Sequence, residues 1–368
     1  MRVAFLLLLM LAVGCTKIDK NPLKTVLSSE NDKIKIVMNN LQKHEVQILY
    51  TEVHRNIDNS IGFEDHSFQV DDSLYCYPAS TVKLPVALLA LEKLNEEENL
   101  DRNSKFYIEG DSVETTFAKE IEKIFAVSDN DAYNRLFEYL GQDAIDTRLK
   151  SKGINARISH RVSVEDSDNI TTKPLIFYLN DSTITPTPEI INDPISPLGL
   201  KKITKGKGYI EGDSLIGQPK DFSKKNYLPI SSLHKIMKQL MFPDLYPEEQ
   251  RFHLSKSDRE FLIRTMKILP KNAGYISDEY YDGYVKFFLF GDTEEDIPVH
   301  IEIYNKVGYA YGYLTDCAYI VDRKRNKECI ITATIHINEN GIFNDDTYEY
   351  ETIGIPFLAE LGRQLISY

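Results

Sequence analysis

The segment Tyr77-Pro78-Ala79-Ser80-Thr81-Val82-Lys83-Leu84-Pro85-Val86-Ala87-Leu88-Leu89-Ala90-Leu91 constrains this chain more than any other. It predicts an apolar helix running from Ser80 to about Asn99, with Pro85 tolerated because it lies near the first turn. A hydroxyl and an amine three residues apart stand at its mouth, and residues i and i+3 share one helix face. Lys83 can therefore reach the Ser80 oxygen and, when neutral, take its proton; a serine hydroxyl is a poor nucleophile until a neighbouring base activates it. Desolvation at the mouth of such a helix lowers a lysine pKa. Free N–H groups at the helix start point at any oxyanion that develops there.

The spacing alone is weak, since about one chance S-x-x-K is expected in a chain of this length. A second copy stands at Ser232-Leu233-His234-Lys235. There Ser231 or Ser232 is expected to cap a helix and Lys235 to face solvent.

With 368 residues, 42% of them hydrophobic, the chain can bury a large core. A net charge of −13 argues against a nucleic-acid partner, which needs a basic face. The eight His and four Cys show no metal-ligand spacing, so neither a metal nor a cofactor is expected.

The N-terminus carries Arg2, an apolar run from Val3 to Val13, and Leu11-Ala12-Val13-Gly14-Cys15. The run is too short to span a bilayer and reads as an export signal over residues 1–14. Small residues before a cysteine resemble the lipobox of bacterial lipoproteins, which implies lipid on Cys15 and a membrane-anchored, exported protein. Residues 15–40 are polar and lysine-rich and read as a tether. Cys317 and Cys329 flank a turn at Asp322-Arg323-Lys324-Arg325-Asn326, so a disulfide and two buried thiols are both open.

Strands are expected at 45–54, Tyr284 to Phe290, His300 to Lys306, Ala318 to Val321 and Cys329 to Ile337. Further helices are expected at Phe117 to Phe125, Asp131 to Tyr139, Ser231 to Met241, Ser257 to Leu269 and Glu349 to Ile366. Residues 173–225, dotted with proline and glycine, read as irregular. The order suggests an α/β layer interrupted by an all-helical insertion: an antiparallel sheet flanked by N- and C-terminal helices. The folded domain is expected over 41–368, with its helical part at about 76–280 and its sheet part at 41–75 and 281–368.

Two later segments join Ser80. One is Ser128-Asp129-Asn130, followed by Asp131-Ala132-Tyr133-Asn134-Arg135-Leu136; the other is Lys306-Val307-Gly308-Tyr309. S-x-x-K, S-D-N and K-[T]-G in this order resemble the signature of serine β-lactamases and penicillin-binding proteins, class A β-lactamases in particular. The resemblance covers roughly residues 45–368, with an extra insertion between about 170 and 225. A second S-D-N, Ser167-Asp168-Asn169, has no apolar helix after it and reads as loop.

The resemblance implies roles. Ser80 attacks an acyl carbon, Lys83 is its base, and Ser128 relays a proton to the departing nitrogen. Asn130 binds the substrate amide, Lys306 attracts its carboxylate, and Gly308 lets the substrate backbone approach closely. The N–H groups of Ser80 and Tyr309 form an oxyanion hole. Two departures stand against this pattern. Val307 replaces a hydroxyl residue, and alignment of 156–161 puts Val162 where the family has its deacylating glutamate, with Glu165 nearby but out of register.

Three readings follow. The first is β-lactam hydrolysis by an exported, lipid-anchored serine hydrolase; the second is a peptidoglycan peptidase or penicillin-binding lipoprotein that deacylates slowly. The third is a non-catalytic binding lipoprotein of the same fold. A monomer is expected, with a β-lactam or a peptidoglycan peptide as the small-molecule partner.

Overall fold

Apolar residues recurring over 47–55 form the first strand of the molecule. The computed structural model describes residues 21–58, 60–180 and 183–368. Cys15 and the export signal lie outside them. Five strands make one antiparallel sheet: β1 (Gln47–Arg55), β2 (Ile61–Phe68), β3 (Ile301–Ala310), β4 (Tyr313–Asp322) and β5 (Lys327–His336). Their spatial order is β3-β4-β5-β1-β2, which leaves β3 on a free edge.

Period-two side-chain alternation sends each strand's residues to two layers. Behind the sheet, Ile303, Val307, Ala318, Ile320, Ile331 and Ile335 pack against the closing helix. In front, Tyr304, Cys317, Tyr319 and Ile330 join the core of the helical part. The α-helices longer than one turn are α1 (Pro22–Leu27), α2 (Asp32–Met38), α3 (Lys83–Leu94), α4 (Phe117–Val127), α5 (Asn130–Leu140), α6 (Gln142–Ser151), α7 (Ile230–Met241), α8 (Lys256–Met266) and α9 (Ile355–Ser367). From Leu84 to Leu91 every residue of α3 is buried, so this helix is the axis around which α4, α5 and α6 pack.

Several expectations are corrected. Residues 21–40 are not a tether: Asn21 and Asn31 cap α1 and α2, and Leu23, Val26, Ile34 and Val37 are buried behind the sheet. Asn31 donates to Glu360 on α9 at 2.9 Å, and Lys33 pairs with Asp292 at 2.8 Å. Tyr284 to Phe290 is no strand; it ends in a helical turn, Phe287–Phe290, interrupted at Phe288 and Leu289. The helix after Ser80 opens as a tight 3-10 turn, Ala79–Val82, and stops at Asn95, short of Asn99.

Neither Ser231 nor Ser232 caps α7. Ser231 donates to Asp72, and Ser232 to the carbonyl of Asn155. Residues 173–225 carry short strands, among them Leu175–Asn180 and Gly208–Glu211, where irregular chain was expected. Cys317 pairs with Thr332 and Cys329 with Ile320, which puts the two thiols on opposite faces of the sheet. Both are free and buried. Among the described residues no helix is long and apolar enough to cross a membrane.

Candidate active site

Ser80 sits in the 3-10 turn that enters α3, preceded by Ala79 at a φ of 47°. The strand end at Gly308 presses directly on this turn. A methyl group at Gly308 would come within 2.8 Å of the Ser80 N, the Thr81 N and the Pro78 carbonyl oxygen. Only glycine fits there.

Lys83, one turn into the helix, is fully buried. Its Nζ donates to the Ser128 carbonyl at 2.5 Å, to Asn130 Oδ1 at 2.6 Å and to Ser128 Oγ at 3.4 Å. Ser128 ends α4 in a left-handed conformation (φ 59°), and Asp129 then caps α5 by accepting from Ala132 N at 2.8 Å. The sharp turn between the two helices thus aims the last carbonyl of α4 and the Ser128 hydroxyl at one amine, a favourable place for a cation. Burial pulls the Lys83 amine down to about 7, against Asp129 and Asp131, which favour its charged form.

Lys306 approaches the same hydroxyl from β3. Its Nζ donates to Ser128 Oγ at 2.7 Å and to the Val307 carbonyl at 2.8 Å. Burial, reinforced by the positive charge of Lys83, holds this amine well below the ordinary lysine range, with Asp316 opposing. Ser128 therefore bridges two amines of weakened basicity, a chain along which a proton can move.

A cavity of about 570 Å³ opens over Ser80. Ser128, Asn130, Val162 and Ser163 line one side of it, and Tyr284, Val285 and Tyr309 another. The lysines lie beneath this lining, with Ser128 between them and the space. Tyr77, Tyr311, Tyr348 and Tyr350 complete the wall, an aromatic surface that the motifs gave no sign of.

The structure thus gathers Ser80, Lys83, Ser128, Asn130, Lys306, Gly308 and Tyr309 at one site. Two details differ from expectation. The Ser80 hydroxyl has no hydrogen-bond partner among the described residues, because the Lys83 amine is engaged by Ser128 and Asn130. Catalytic hydrogen bonds of this kind often tighten only once substrate is bound. The second concerns Glu165. It is exposed and lines a separate, larger cavity of about 770 Å³ with Arg135, Arg161 and Asp166.

The loop explains why. Tyr133 donates to the His160 carbonyl at 2.8 Å, and Arg161 forms a two-pronged pair with Glu138 at 2.5 and 2.9 Å. The Asn134 amide brackets Val162 through both its backbone groups, at 2.9 and 3.0 Å. These bonds turn Val162 and Ser163 to the Ser80 cavity and send the chain away before Glu165. Asn130 Nδ2 donates to Ser163 Oγ at 3.0 Å and closes that wall.

The duplicate motifs play no part. Lys235 donates to the Gly153 carbonyl, and Asn169 borders the Glu165 cavity. Val307, fully buried behind the sheet, faces away from the nucleophile.

Residues 20–189, which include Ser80 and the S-D-N segment, match the model of the beta-lactamase enzyme family, Beta-lactamase2. Over that stretch, a little under half of its length, the chain is similar to the beta-lactamase enzyme family. The solved beta-lactamase from Desulfarculus baarsii DSM 2075 superposes with a TM-score of 0.51 at 14% identity, over 93% of this chain and 97% of that one. At that identity the likeness is one of fold. A beta-lactamase structure from Burkholderia ambifaria gives a TM-score of 0.49 at 12% identity, covering 89% of this chain and 94% of that one. No curated protein sequence matches. The family match ends before β3, so the Lys306-Val307-Gly308 segment joins the other two motifs through geometry.

Proposed function

We propose that this protein is a serine acyl-transfer enzyme that opens an amide bond, a β-lactam in the first instance, by forming an acyl-enzyme at Ser80. One observation carries the reading: the Ser128 hydroxyl accepts from Lys306 and lies against Lys83, in the lining of the cavity over Ser80. In this reading neutral Lys83 takes the Ser80 proton as Oγ attacks the carbonyl carbon. The proton passes through Ser128 to the departing ring nitrogen, whose bond to that carbon breaks. The N–H groups of Ser80 and Tyr309 receive the oxyanion, a contribution of about 3 kcal/mol per donor in related chemistry.

Placement of Glu165 outside this cavity favours the slow-release form of the reading, a penicillin-binding enzyme rather than an efficient lactamase. Among the described residues Asp346 is the one carboxylate lining the Ser80 cavity, and it comes from the far tyrosine wall. No other described residue of that lining carries a carboxylate to position a hydrolytic water, so the acyl-enzyme is expected to accumulate as a burst. We further propose export and lipid anchoring through Cys15, and a monomer.

The test is time-resolved intact-mass spectrometry with a penicillin. A single adduct of penicillin mass on wild type, absent from Ser80→Ala and released slowly, is expected. An unmodified wild type, under conditions that label a control enzyme, overturns the reading in favour of a binding protein.

A further inference from the structure

Directly behind the catalytic edge strand lies a polar cluster that the three motifs do not include. Lys286, Asn305 and Asp316 are each at most 2% exposed. Lys286 Nζ donates to the Met266 carbonyl, the last of α8, at 2.9 Å and to Asn305 Oδ1 at 2.7 Å. The Asn305 amide donates in turn to the Val285 carbonyl and to Asp316 Oδ1, both at 2.9 Å. Asp316 Oδ2 accepts from Phe288 N at 3.2 Å. Each bond joins a different element: α8, the 284–288 segment, β3 and β4.

Burying an amine and a carboxylate is costly, and apolar residues of similar size are commonly as stable or more so. Stability alone is therefore a poor reason for this cluster. Its position supplies a better one. Asn305 precedes Lys306 on β3, and its amide holds the carbonyl of Val285, a residue of the Ser80 cavity wall. Asp316 fixes Phe288 N beside Leu289, whose φ of 71° and ψ of −47° form a strained turn for a bulky residue. Arg363 holds the other side of that turn through the Leu289 carbonyl at 2.6 Å. Without these anchors the turn can relax, and the Tyr284–Val285 wall moves with it.

We propose that Lys286, Asn305 and Asp316 are a clamp that sets the Tyr284–Val285 wall and the Lys306 strand at their working distance from Ser80, making Lys286 and Asp316 positioning residues for acylation. The inference rests on the acyl-enzyme reading above. Burial pulls the Lys286 amine down to about 7 and pushes the Asp316 carboxyl up to about 6, so each charge is disfavoured relative to water while the hydrogen bonds hold both side chains in place.

The experiment compares wild type, Asp316→Asn and the apolar pair Lys286→Met/Asp316→Leu. Thermal unfolding, the second-order rate of labelling by a fluorescent penicillin, and hydrogen exchange over residues 284–290 are measured on each. The apolar pair is expected to melt at or above the wild-type temperature, to label at least tenfold more slowly, and to exchange faster over 284–290. Asp316→Asn, which keeps an acceptor for the Asn305 amide, is expected to recover part of the rate. Wild-type labelling and exchange in a well-folded apolar pair overturn the clamp and leave the Ser80 reading intact. If the apolar pair does not fold, an unchanged labelling rate in Asp316→Asn, together with unchanged exchange, overturns it as well. Failure of wild type itself to label overturns the acyl-enzyme reading and, with it, this one.

Discussion

Gly308 and Ser80 are packed so closely that a single methyl group on Gly308 would stand 2.8 Å from the Ser80 backbone nitrogen. Its neighbours there, the Pro78 carbonyl and Thr81 N, are backbone as well, so no flexible side chain can yield. Gly308→Ala therefore has to push the edge strand away from the turn that carries the nucleophile. Because β3 keeps its full pairing with β4, the variant is expected to fold. Its acylation rate is expected to fall about 100-fold, the loss typical of one misplaced oxyanion donor. Stopped-flow labelling beside a melting curve checks both; a wild-type rate would show that the contact has no catalytic consequence.

Acylation should depend on pH through Lys83. Its amine titrates at about 7, mainly because it is buried, and only the neutral form can take the Ser80 proton. The labelling rate is therefore expected to be flat above about pH 8 and to drop about tenfold per pH unit well below 7. A profile independent of pH between 5 and 8 would remove Lys83 as the base.

The same displacement has a cost in stability. An unfolded lysine titrates near 10.5 and the folded Lys83 near 7, so between those values the unfolded chain binds more protons. Stability from this group thus rises as pH rises from about 7 to 10.5, and is at its lowest below 7. At about 1.4 kcal/mol per pH unit the ceiling is about 5 kcal/mol, before relaxation reduces it. Lys83→Met is expected to be more stable than wild type by about 1–3 kcal/mol at pH 7, and inactive. Urea titrations at pH 7 and pH 10 test this: the gain should shrink at the higher pH, and a variant weaker than wild type at pH 7 would contradict the buried-amine account.

How much of this was legible in the sequence follows from which physical signals are local. Ser80, Lys83 and the S-D-N turn could be read because capping and helix periodicity sit within a few residues. The resemblance alone put Val162 at the glutamate position; what the structure adds is the bracket by Asn134, which fixes its backbone in the wall of the Ser80 cavity. The strand β2, Ile61–Phe68, was missed because it is half exposed and mixes glycine and charge with its apolar residues. The helices at 22–38 read as tether because their few apolar residues gain meaning only against α9. Residues 284–290 are rich in aromatic and β-branched side chains like a strand, but the segment turns at Leu289, where Asp316 and Arg363 supply bonds from far along the chain. The tyrosine wall is non-local in the same way, assembled from residues 77, 284, 309, 311, 348 and 350.

Release of the acyl group gives the sharpest remaining prediction. Glu165 faces the neighbouring cavity, so Glu165→Gln is expected to leave both labelling and release within twofold of wild type. Val162 lines the Ser80 cavity with its backbone fixed on both sides by Asn134, which makes it the position from which a carboxylate could reach a water beside the ester. Val162→Glu is expected to speed release at least tenfold, since a placed general base typically contributes about 10²–10⁴-fold, while labelling changes little. Intact-mass decay of the adduct measures it. Should Glu165→Gln slow release while Val162→Glu does nothing, the loop must rearrange in the acyl-enzyme, and the slow-release reading would give way to hydrolysis based on Glu165.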